Sequence, residues 1–256
     1  MLHLQQIVRP LRSLLLVGVA ALALSACASN RGQMASADYS GLSASQGQAS
    51  LAELTARYTA NPRDRGVVIH YAAALRAAGQ PQQATAALER ALAHYPGDVA
   101  LSVAYAKALT ASGRFDQSLQ VLNNVIRPDA PDWNALLVKG ATLDQMGRHG
   151  EARQVYIQAG VIAPGEASVE TNLGLSYAMT NELERAETHL RRAVQMRGAT
   201  TQTRQNLALV VGLQGRFQEA RALYAAELPP EQVESNMAYV RALLTQQNRW
   251  EMIERG

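Results

Sequence analysis

An internal repeat of 34 residues constrains the fold of this chain more than any other feature of its sequence. The repeat starts at Arg65 and continues through five consecutive registers without an insertion between them. The registers cover residues 65–98, 99–132, 133–166, 167–200 and 201–234. A unit of this length cannot bury its apolar face alone, so successive units must stack to share a continuous core. The sequence therefore predicts a row of similar, stacked units.

Small and large residues recur at fixed positions of the register. The eighth position is always small: Ala72, Ala106, Gly140, Gly174 and Ala208. The twentieth position is small too: Ala84, Ser118, Ala152, Ala186 and Ala220. The twenty-fourth is large: Leu88, Leu122, Tyr156, Leu190 and Tyr224. Where small residues of two helices face each other, the helix axes approach closely and the large residues fill the space beside the contact. Each register is therefore predicted to be an antiparallel pair of helices.

The end of the first helix is marked at the fifteenth position of every register. It carries residues that tolerate the left-handed backbone conformation: Gly79, Gly113, Gly147, Asn181 and Gly215. The whole pattern resembles the tetratricopeptide repeat and covers 170 of the 256 residues. That resemblance implies an all-α tetratricopeptide-repeat solenoid, in which antiparallel helix pairs form a right-handed superhelix.

Two kinds of departure from the repeat are visible. Lys139 stands at position seven and Glu227 at position twenty-seven, where the repeat expects a large apolar and a small residue. Proline closes the register in repeats one and three but not in repeats two, four and five. Prolines stand out of register near the ends of repeats two and five: Pro128, Pro131, Pro229 and Pro230. We expect local irregularity at those two junctions.

The first 26 residues have the pattern of a lipoprotein signal peptide. Arg9 and Arg12 precede an apolar stretch of eleven residues, which is shorter than the about 20 that a membrane-spanning helix needs. The stretch ends in Leu24-Ser25-Ala26-Cys27, which resembles a bacterial lipobox. We expect Cys27, the only cysteine, to carry the lipid anchor. Because Ala28 and not Asp follows, the expected location is the outer membrane, on its periplasmic face.

The segments around the repeats complete the expected domain organisation. Residues 27–48, the lipidated cysteine followed by a Ser-, Ala-, Gly- and Gln-rich stretch, are predicted to form a flexible tether. Residues 49–64 are predicted to be a half-repeat cap, and 65–234 the five repeats. A capping helix and tail are expected over residues 235–256, because apolar residues from Val233 to Leu244 are spaced for one helix face.

Charge and residue chemistry argue against several function classes. Two of the 24 basic residues lie in the leader, and the other 22 nearly balance 21 acidic ones, which gives no electrostatic basis for nucleic-acid binding. The five histidines are scattered without ligand spacing, so no metal is expected. The sequence has no glycine-rich phosphate loop and no Gly-x-Ser-x-Gly motif. We therefore expect no catalytic residues, no cofactor and no small-molecule substrate.

A protein-binding groove is the expected functional site. Family geometry places positions two, five, six, nine, twelve and thirteen of each register on the concave face. The residues predicted there are Thr171, Asn172, Leu175 and Met179 in repeat four and Gln205, Asn206, Leu209 and Leu213 in repeat five. The two Asn amides could hold the backbone of an extended peptide, or they could be ordinary repeat residues. Position two is Ser168 and Gln202, so the cations of a carboxylate-binding clamp are missing here.

Three stretches carry a narrower resemblance: residues 144–153, 172–178 and 205–217. They are similar to the TadD family, the tetratricopeptide-repeat lipoproteins of the tight-adherence (Flp) pilus machine. The resemblance implies an outer-membrane factor that assists secretin localisation and pilus assembly, with the secretin and other assembly components as protein partners. Another envelope scaffold, such as a type IV pilotin or an outer-membrane protein assembly lipoprotein, stays open. An enzyme that uses the repeats to recruit substrate would need a catalytic domain, for which the repeats leave no room.

Overall fold

The computed structural model describes residues 44–255, and side chains within residues 46–245. This part of the chain forms helices joined by short turns and contains no strand. In chain order the helices are α1 Ala44–Ala60, α2 Arg65–Ala77, α3 Pro81–His94, α4 Val99–Ala111, α5 Phe115–Val125, α6 Trp133–Gln145, α7 His149–Ile162, α8 Ala167–Met179, α9 Leu183–Gln195, α10 Thr201–Leu213, α11 Phe217–Ala225 and α12 Pro230–Arg255.

Each 34-residue register contains one pair of helices, from α2 and α3 in the first to α10 and α11 in the fifth. The helices form two compact units, which we call unit 1 (through Pro164) and unit 2 (from Gly165). Unit 1 holds α1 and the first three pairs, and unit 2 holds the last two pairs and α12. The predicted fold class, an all-α tetratricopeptide-repeat solenoid, is confirmed.

The ends of the first helices are set by capping side chains and by residues with a left-handed backbone conformation. Asp64, Asp98 and Asp132, spaced by one register, each accept a hydrogen bond from a backbone N–H of the first helical turn. All five residues at the fifteenth position have positive φ, including Asn181 at 60°. The prediction that these residues end the first helices in the left-handed conformation is confirmed.

Close contacts inside the pairs account for the small eighth position. A Cβ placed on Gly140 would lie 2.3 Å from Cε1 of Tyr156, and one on Gly174 would lie 2.7 Å from Cγ of Leu190. Both neighbours stand at the twenty-fourth position of their register. A Cβ at either place would force its neighbour to shift, which accounts for the glycine there.

The helix bounds differ from the expected domain bounds at both ends. Helix α1 begins at Ala44, so the last residues of the predicted tether are helical, and Leu51 and Tyr58 on α1 pack against the core of the first pair. Helix α12 begins at Pro230, five residues before the predicted cap. Proline suits the first helical position because it needs no hydrogen-bond donor there.

The irregularity expected after repeats two and five is present. Helix α5 has 11 residues and α11 has 9, whereas α3 and α7 have 14 each. The shortened helices are the ones followed by prolines out of register. The leader, Cys27 and the residues up to 43 lie outside the described part of the chain. Among the described helices, none combines the length and the apolar character that crossing a bilayer requires.

Candidate functional site

The residues predicted to bind a partner lie on α8 and α10 of unit 2. In α8, Gly174 faces α9, where it meets Leu190 and the carbonyl of Ala186. Residues spaced by four, three and four along a helix share one face, and that face of α8 points away from Gly174. We call the two equivalent faces the unit 2 stripes. Their members are Ser168, Asn172, Leu175 and Met179 on α8, and Gln202, Asn206, Leu209 and Leu213 on α10.

The remaining two predicted residues stand at position five of their registers. Thr171 is fully buried, and its hydroxyl donates to the carbonyl of Ala167 at 2.8 Å and lies 3.3 Å from the hydroxyl of Thr203 on α10. This contact links the two helices that carry the stripes. Thr171 therefore connects neighbouring repeats. Gln205, its counterpart one repeat later, is half-buried.

Much of the predicted site is covered by the protein itself. Five of the eight predicted residues are buried: Thr171, Asn172, Leu175, Asn206 and Leu209. The other three are half-buried: Met179, Gln205 and Leu213. A partner that meets this face in its present conformation would first contact the half-buried residues. The repeat register places a residue on a face, but it does not reveal how closely neighbouring side chains cover it.

The two Asn amides make different hydrogen bonds although they occupy the same position of the repeat. Asn172 Nδ2 donates to the main-chain carbonyl of Ser168 at 2.7 Å, within its own helix. Asn206 Oδ1 accepts from Gln202 Nε2 at 3.1 Å, and Asn206 Nδ2 has no partner. The Ser168 hydroxyl is also buried without a partner. The hydrogen bond from Gln202 to Asn206 was not predicted from the sequence. The spacing could have indicated it, because Gln and Asn four residues apart on a helix are a recognised hydrogen-bonding pair.

Several charged residues of unit 2 pair with one another. Glu187 on α9 accepts hydrogen bonds from Arg191, Arg216 and Gln214. Burial of this carboxyl acts to raise its pKa, but the three hydrogen bonds outweigh burial and lower the pKa to about 2. Glu187 therefore stays ionised under ordinary conditions and ties α9 to the following repeat.

Histidine and carboxylate pairs occur in both units. In unit 1, His149 Nδ1 lies 2.8 Å from Oδ1 of Asp144, whose Oδ2 accepts from the Tyr156 hydroxyl at 2.9 Å. In unit 2, His189 Nδ1 lies 2.7 Å from Oε2 of Glu170. Each pair joins the two helices of one repeat. Within residues 46–245 no cluster of side chains could hold a metal ion.

A small apolar patch in unit 1 was not expected from the sequence. Ile157 and Val161 are 48% and 79% exposed on α7, next to Ile162. Both residues stand at register positions that do not contribute to packing within the pair. An apolar residue at such a position would have indicated the patch from the sequence. The neighbouring exposed residues on this helix include Gln154 and Gln158, which carry no charge.

Comparisons with known proteins agree with the fold. Family models described as tetratricopeptide repeat match residues 75–140 and 171–200. A search of curated proteins gives no match to this chain. Because the two family matches are separate short stretches, they identify the repeat and not a particular function.

Several solved structures resemble the chain. A thermophilic tetratricopeptide-repeat protein of Thermus thermophilus has 22% identity over 68% of this chain and 97% of its own, with a TM-score of 0.61. A tetratricopeptide-repeat protein of Parabacteroides merdae has 11% identity over 77% and 78%, with a TM-score of 0.65. The PilF protein of Pseudomonas aeruginosa has 16% identity over 73% and 92%, with a TM-score of 0.53. At these identities the likeness concerns the fold alone.

Proposed function

We propose that this tetratricopeptide-repeat chain is a non-enzymatic protein-binding scaffold, an outer-membrane lipoprotein that assists secretin localisation and assembly of the tight-adherence pilus. The observation that carries the binding role is the pair of unit 2 stripes, where Asn206 and Ser168 present hydrogen-bonding groups without partners. Such groups favour a ligand that supplies the missing donors and acceptors. Repeat folds of this kind generally act through protein contacts.

The pilus assignment rests on the resemblance of residues 144–153, 172–178 and 205–217 to the TadD family. The Leu24 to Cys27 motif supports an anchored location, and Ala28 supports the outer membrane. Several acyl chains on one cysteine would give lasting attachment, since a single chain binds a bilayer only marginally. The periplasmic repeats would then lie where a secretin is assembled.

The alternative is another envelope scaffold, such as a type IV pilotin or an outer-membrane protein assembly lipoprotein. It would use the same fold and the same anchor, so only the partner distinguishes the two proposals. PilF of Pseudomonas aeruginosa shares the fold and does not decide between them. A secretin, a prepilin peptidase and a secretion ATPase encoded beside this chain would favour the tight-adherence pilus.

The anchor is tested by intact-mass measurement of the membrane-extracted protein. The wild-type chain should carry acyl mass on Cys27, and Cys27→Ser should remain an unacylated precursor. Globomycin, which blocks cleavage of lipidated precursors, should cause a lipidated precursor of the wild type to accumulate. A mature protein without acyl mass would overturn the outer-membrane lipoprotein assignment and leave the binding role to be tested separately.

The partner is tested by deleting the gene and restoring it with variants. The deletion should lower the amount of secretin in the outer-membrane fraction and abolish pili, and the wild-type gene should restore both. The double change Asn172→Ala and Asn206→Ala should reduce recovery of the secretin with the protein. Normal secretin and normal pili in the deletion strain would refute the pilus role, and normal recovery with a folded double mutant would exclude the stripes as the site.

A further inference from the structure

The outer face of α7 in unit 1 carries a line of uncharged, exposed residues. The buried residues of this helix are Ala152, Tyr156 and Ala159, which face its own pair. A second set, spaced by four, three and four residues, lies on the opposite side of the helix: Gly150, Gln154, Ile157 and Val161. We call these four residues the α7 seam. Its two apolar members, Ile157 and Val161, are 48% and 79% exposed.

The α7 seam is particular to repeat three. Its residues stand at positions eighteen, twenty-two, twenty-five and twenty-nine of the register. These positions include Asp116 and Arg127 in repeat two, and Glu184 and Arg191 in repeat four. In repeats one and five they include no Leu, Ile, Val, Met or aromatic residue. The fold of the pair therefore does not require apolar residues there.

Gly150 is not explained by packing within its own chain. Gly140 and Gly174 make room for a neighbouring side chain, and Gly147 has a positive φ. Gly150 lies inside a helix, and a Cβ placed on it would meet nothing within 4 Å. Glycine lowers the stability of a helix relative to alanine, but it also lets another group approach the backbone closely. Because the space beside Gly150 is open in this chain, the approaching group would belong to another molecule.

The α7 seam is complementary to itself when two copies of the helix pack antiparallel. Its spacing is that of the a and d positions along which two helices pack. In antiparallel order, Gly150 faces Val161 of the second copy and Gln154 faces Ile157 of the second copy. The most exposed apolar side chain then occupies the gap beside the glycine. The Gln154 amide both donates and accepts hydrogen bonds, so the two Gln154 side chains can pair across the two-fold axis.

The absence of charge on the seam favours a second copy as the occupant. A two-fold axis brings each patch against its own copy, so an unpaired charge near the axis would be repelled by its equivalent. The four seam residues include no Lys, Arg, Asp or Glu. Glu151, beside the seam, is already paired with Arg148 at 2.7 Å. The charges at the same positions of repeats two and four make those helices unsuitable for such a contact.

We infer that this chain forms a two-fold dimer in which the α7 seams of two copies pack antiparallel. The inference goes beyond the proposed function and requires neither the lipid anchor nor the secretin. A contact between two 14-residue helices is small for a protein interface. The dimer is therefore reversible, with a Kd on the order of 10 µM.

The test is sedimentation velocity of the full-length protein in mild detergent, at roughly 1 to 100 µM, a range that spans the expected Kd. Ile157→Arg should weaken the dimer about tenfold or more, because the substitution occurs twice in the interface and buries a charge without a partner. Ala222→Arg adds the same charge on the exposed face of α11 and should leave the Kd unchanged. Both variants should keep the melting midpoint of the wild type, because both positions are exposed in the single chain.

Gly150→Gln tests the antiparallel order. The new side chain is uncharged and meets no neighbour in its own chain, so the melting midpoint should not fall. In the dimer it would fill the space that Val161 of the second copy occupies, and the Kd should rise by about tenfold. A Kd equal to that of the wild type would overturn the antiparallel packing.

The remaining outcomes decide the dimer itself. A wild type that stays monomeric over the whole concentration range would overturn it. Association that survives Ile157→Arg would also overturn it, because the chains would then share a micelle through their anchors or meet at another surface. Equal weakening by Ile157→Arg and Ala222→Arg would show a general effect of charge and not a contact at the seam. A monomeric wild type that binds lipid vesicles, with binding lost in Ile157→Arg, would assign the seam to lipid instead. Secretin recovery is measured separately, so the proposed function can fail or stand without the dimer.

Discussion

Units 1 and 2 are built from the same 34-residue pattern but differ in the interactions that predominate between their helices. In unit 1 three buried hydroxyls meet where α4, α5 and α6 converge. Thr110 Oγ1 lies 2.9 Å from Ser118 Oγ and 2.8 Å from Thr142 Oγ1, and none of the three residues is more than 4% exposed. Each hydroxyl also bonds to a main-chain carbonyl. Unit 1 thus joins neighbouring repeats through a polar cluster that is sealed from solvent.

Unit 2 has one hydroxyl contact between neighbouring repeats, from Thr171 to Thr203, and otherwise joins its helices through charged pairs near the surface. Glu170 on α8 accepts from Arg192 on α9, and Arg204 on α10 donates to Glu227 after α11 at 2.6 Å. Arg221 on α11 pairs with Glu234 on α12. Charged pairs depend on pH and on salt, whereas buried hydroxyls respond to neither. One repeat pattern therefore supports two kinds of contact between helices, which differ in their sensitivity to pH and salt.

The largest expected effect is overpacking at the eighth position, where both units follow the same rule. Gly174→Leu should destabilise unit 2 by about 3 kcal/mol, because Leu190 and the Ala186 carbonyl already occupy the space. Circular dichroism melting should show a lower midpoint, and hydrogen exchange should locate the loss in unit 2. The matched change Gly140→Leu should act on unit 1, where the Tyr156 ring occupies the space. An unchanged midpoint in either variant would contradict the register.

The second largest expected effect is a loss of stability at low pH that is greater in unit 2 than in unit 1. The pKa of Glu187 is lowered to about 2, so its stabilisation is present above the ordinary value of 4.5 and is lost as pH falls from 4.5 toward 2. The pKa of Glu227 is lowered as well, chiefly by its hydrogen bond from Arg204. Allowing for solvent screening, unit 2 should lose about 1–2 kcal/mol over this interval. Hydrogen exchange at pH 5 and pH 3 should show the loss in unit 2 before unit 1.

A matched pair of substitutions tests the cause of that acid sensitivity. Glu187→Gln should remove most of the difference, because the side chain no longer titrates. Glu151→Gln in unit 1 removes an exposed carboxylate that pairs with Arg148 within one helical turn, and it should leave the acid response unchanged. If the two variants lose the same stability at low pH, then the burial of Glu187 and its number of hydrogen-bond partners do not explain the acid sensitivity of unit 2.

Substitution in the hydroxyl cluster should have a smaller effect on stability, and this effect should be found in unit 1. Thr142→Val should cost unit 1 about 1–2 kcal/mol, because it leaves the Thr110 and Ser118 hydroxyls short of a buried partner. Thr171→Val in unit 2 removes a hydroxyl that has one hydroxyl neighbour, at 3.3 Å, besides its carbonyl acceptor, and this change should cost less. Urea unfolding of both variants provides the measurement. Equal costs would mean that the cluster in unit 1 adds nothing beyond single hydrogen bonds.

The smallest effect concerns the turn at the fifteenth position. Asn181 in unit 2 has φ of 60°, whereas the equivalent residue in unit 1 is Gly147 with φ of 74°. Glycine adopts this conformation without a Cβ penalty, so Asn181→Gly should stabilise unit 2 by roughly 0.5 kcal/mol. Gly147→Asn should destabilise unit 1 by a similar amount. The two melting midpoints should shift in opposite directions, and shifts of the same sign would refute the explanation.

Features that repeat along the chain could be predicted from the sequence alone. The register located the helix pairs, the small eighth position and the residues with positive φ, because each depends on contacts within one pair or on one residue's backbone. The same reasoning anticipated irregular ends after repeats two and five from prolines standing out of register. The eight site residues were assigned to faces of α8 and α10 by the same periodicity, which places a residue around a helix but does not measure its exposure.

Other features were decided only when separate helices came together. The sequence identified Glu227 as a departure from the repeat, and the structure explains it by the Arg204 side chain that reaches it from α10. Asn172 and Asn206 are equivalent in the register, yet one donates within its helix and the other keeps a free donor beside Gln202. Burial and hydrogen bonding depend on side chains from several elements at once, and a periodic sequence pattern specifies only which residues share a helix face.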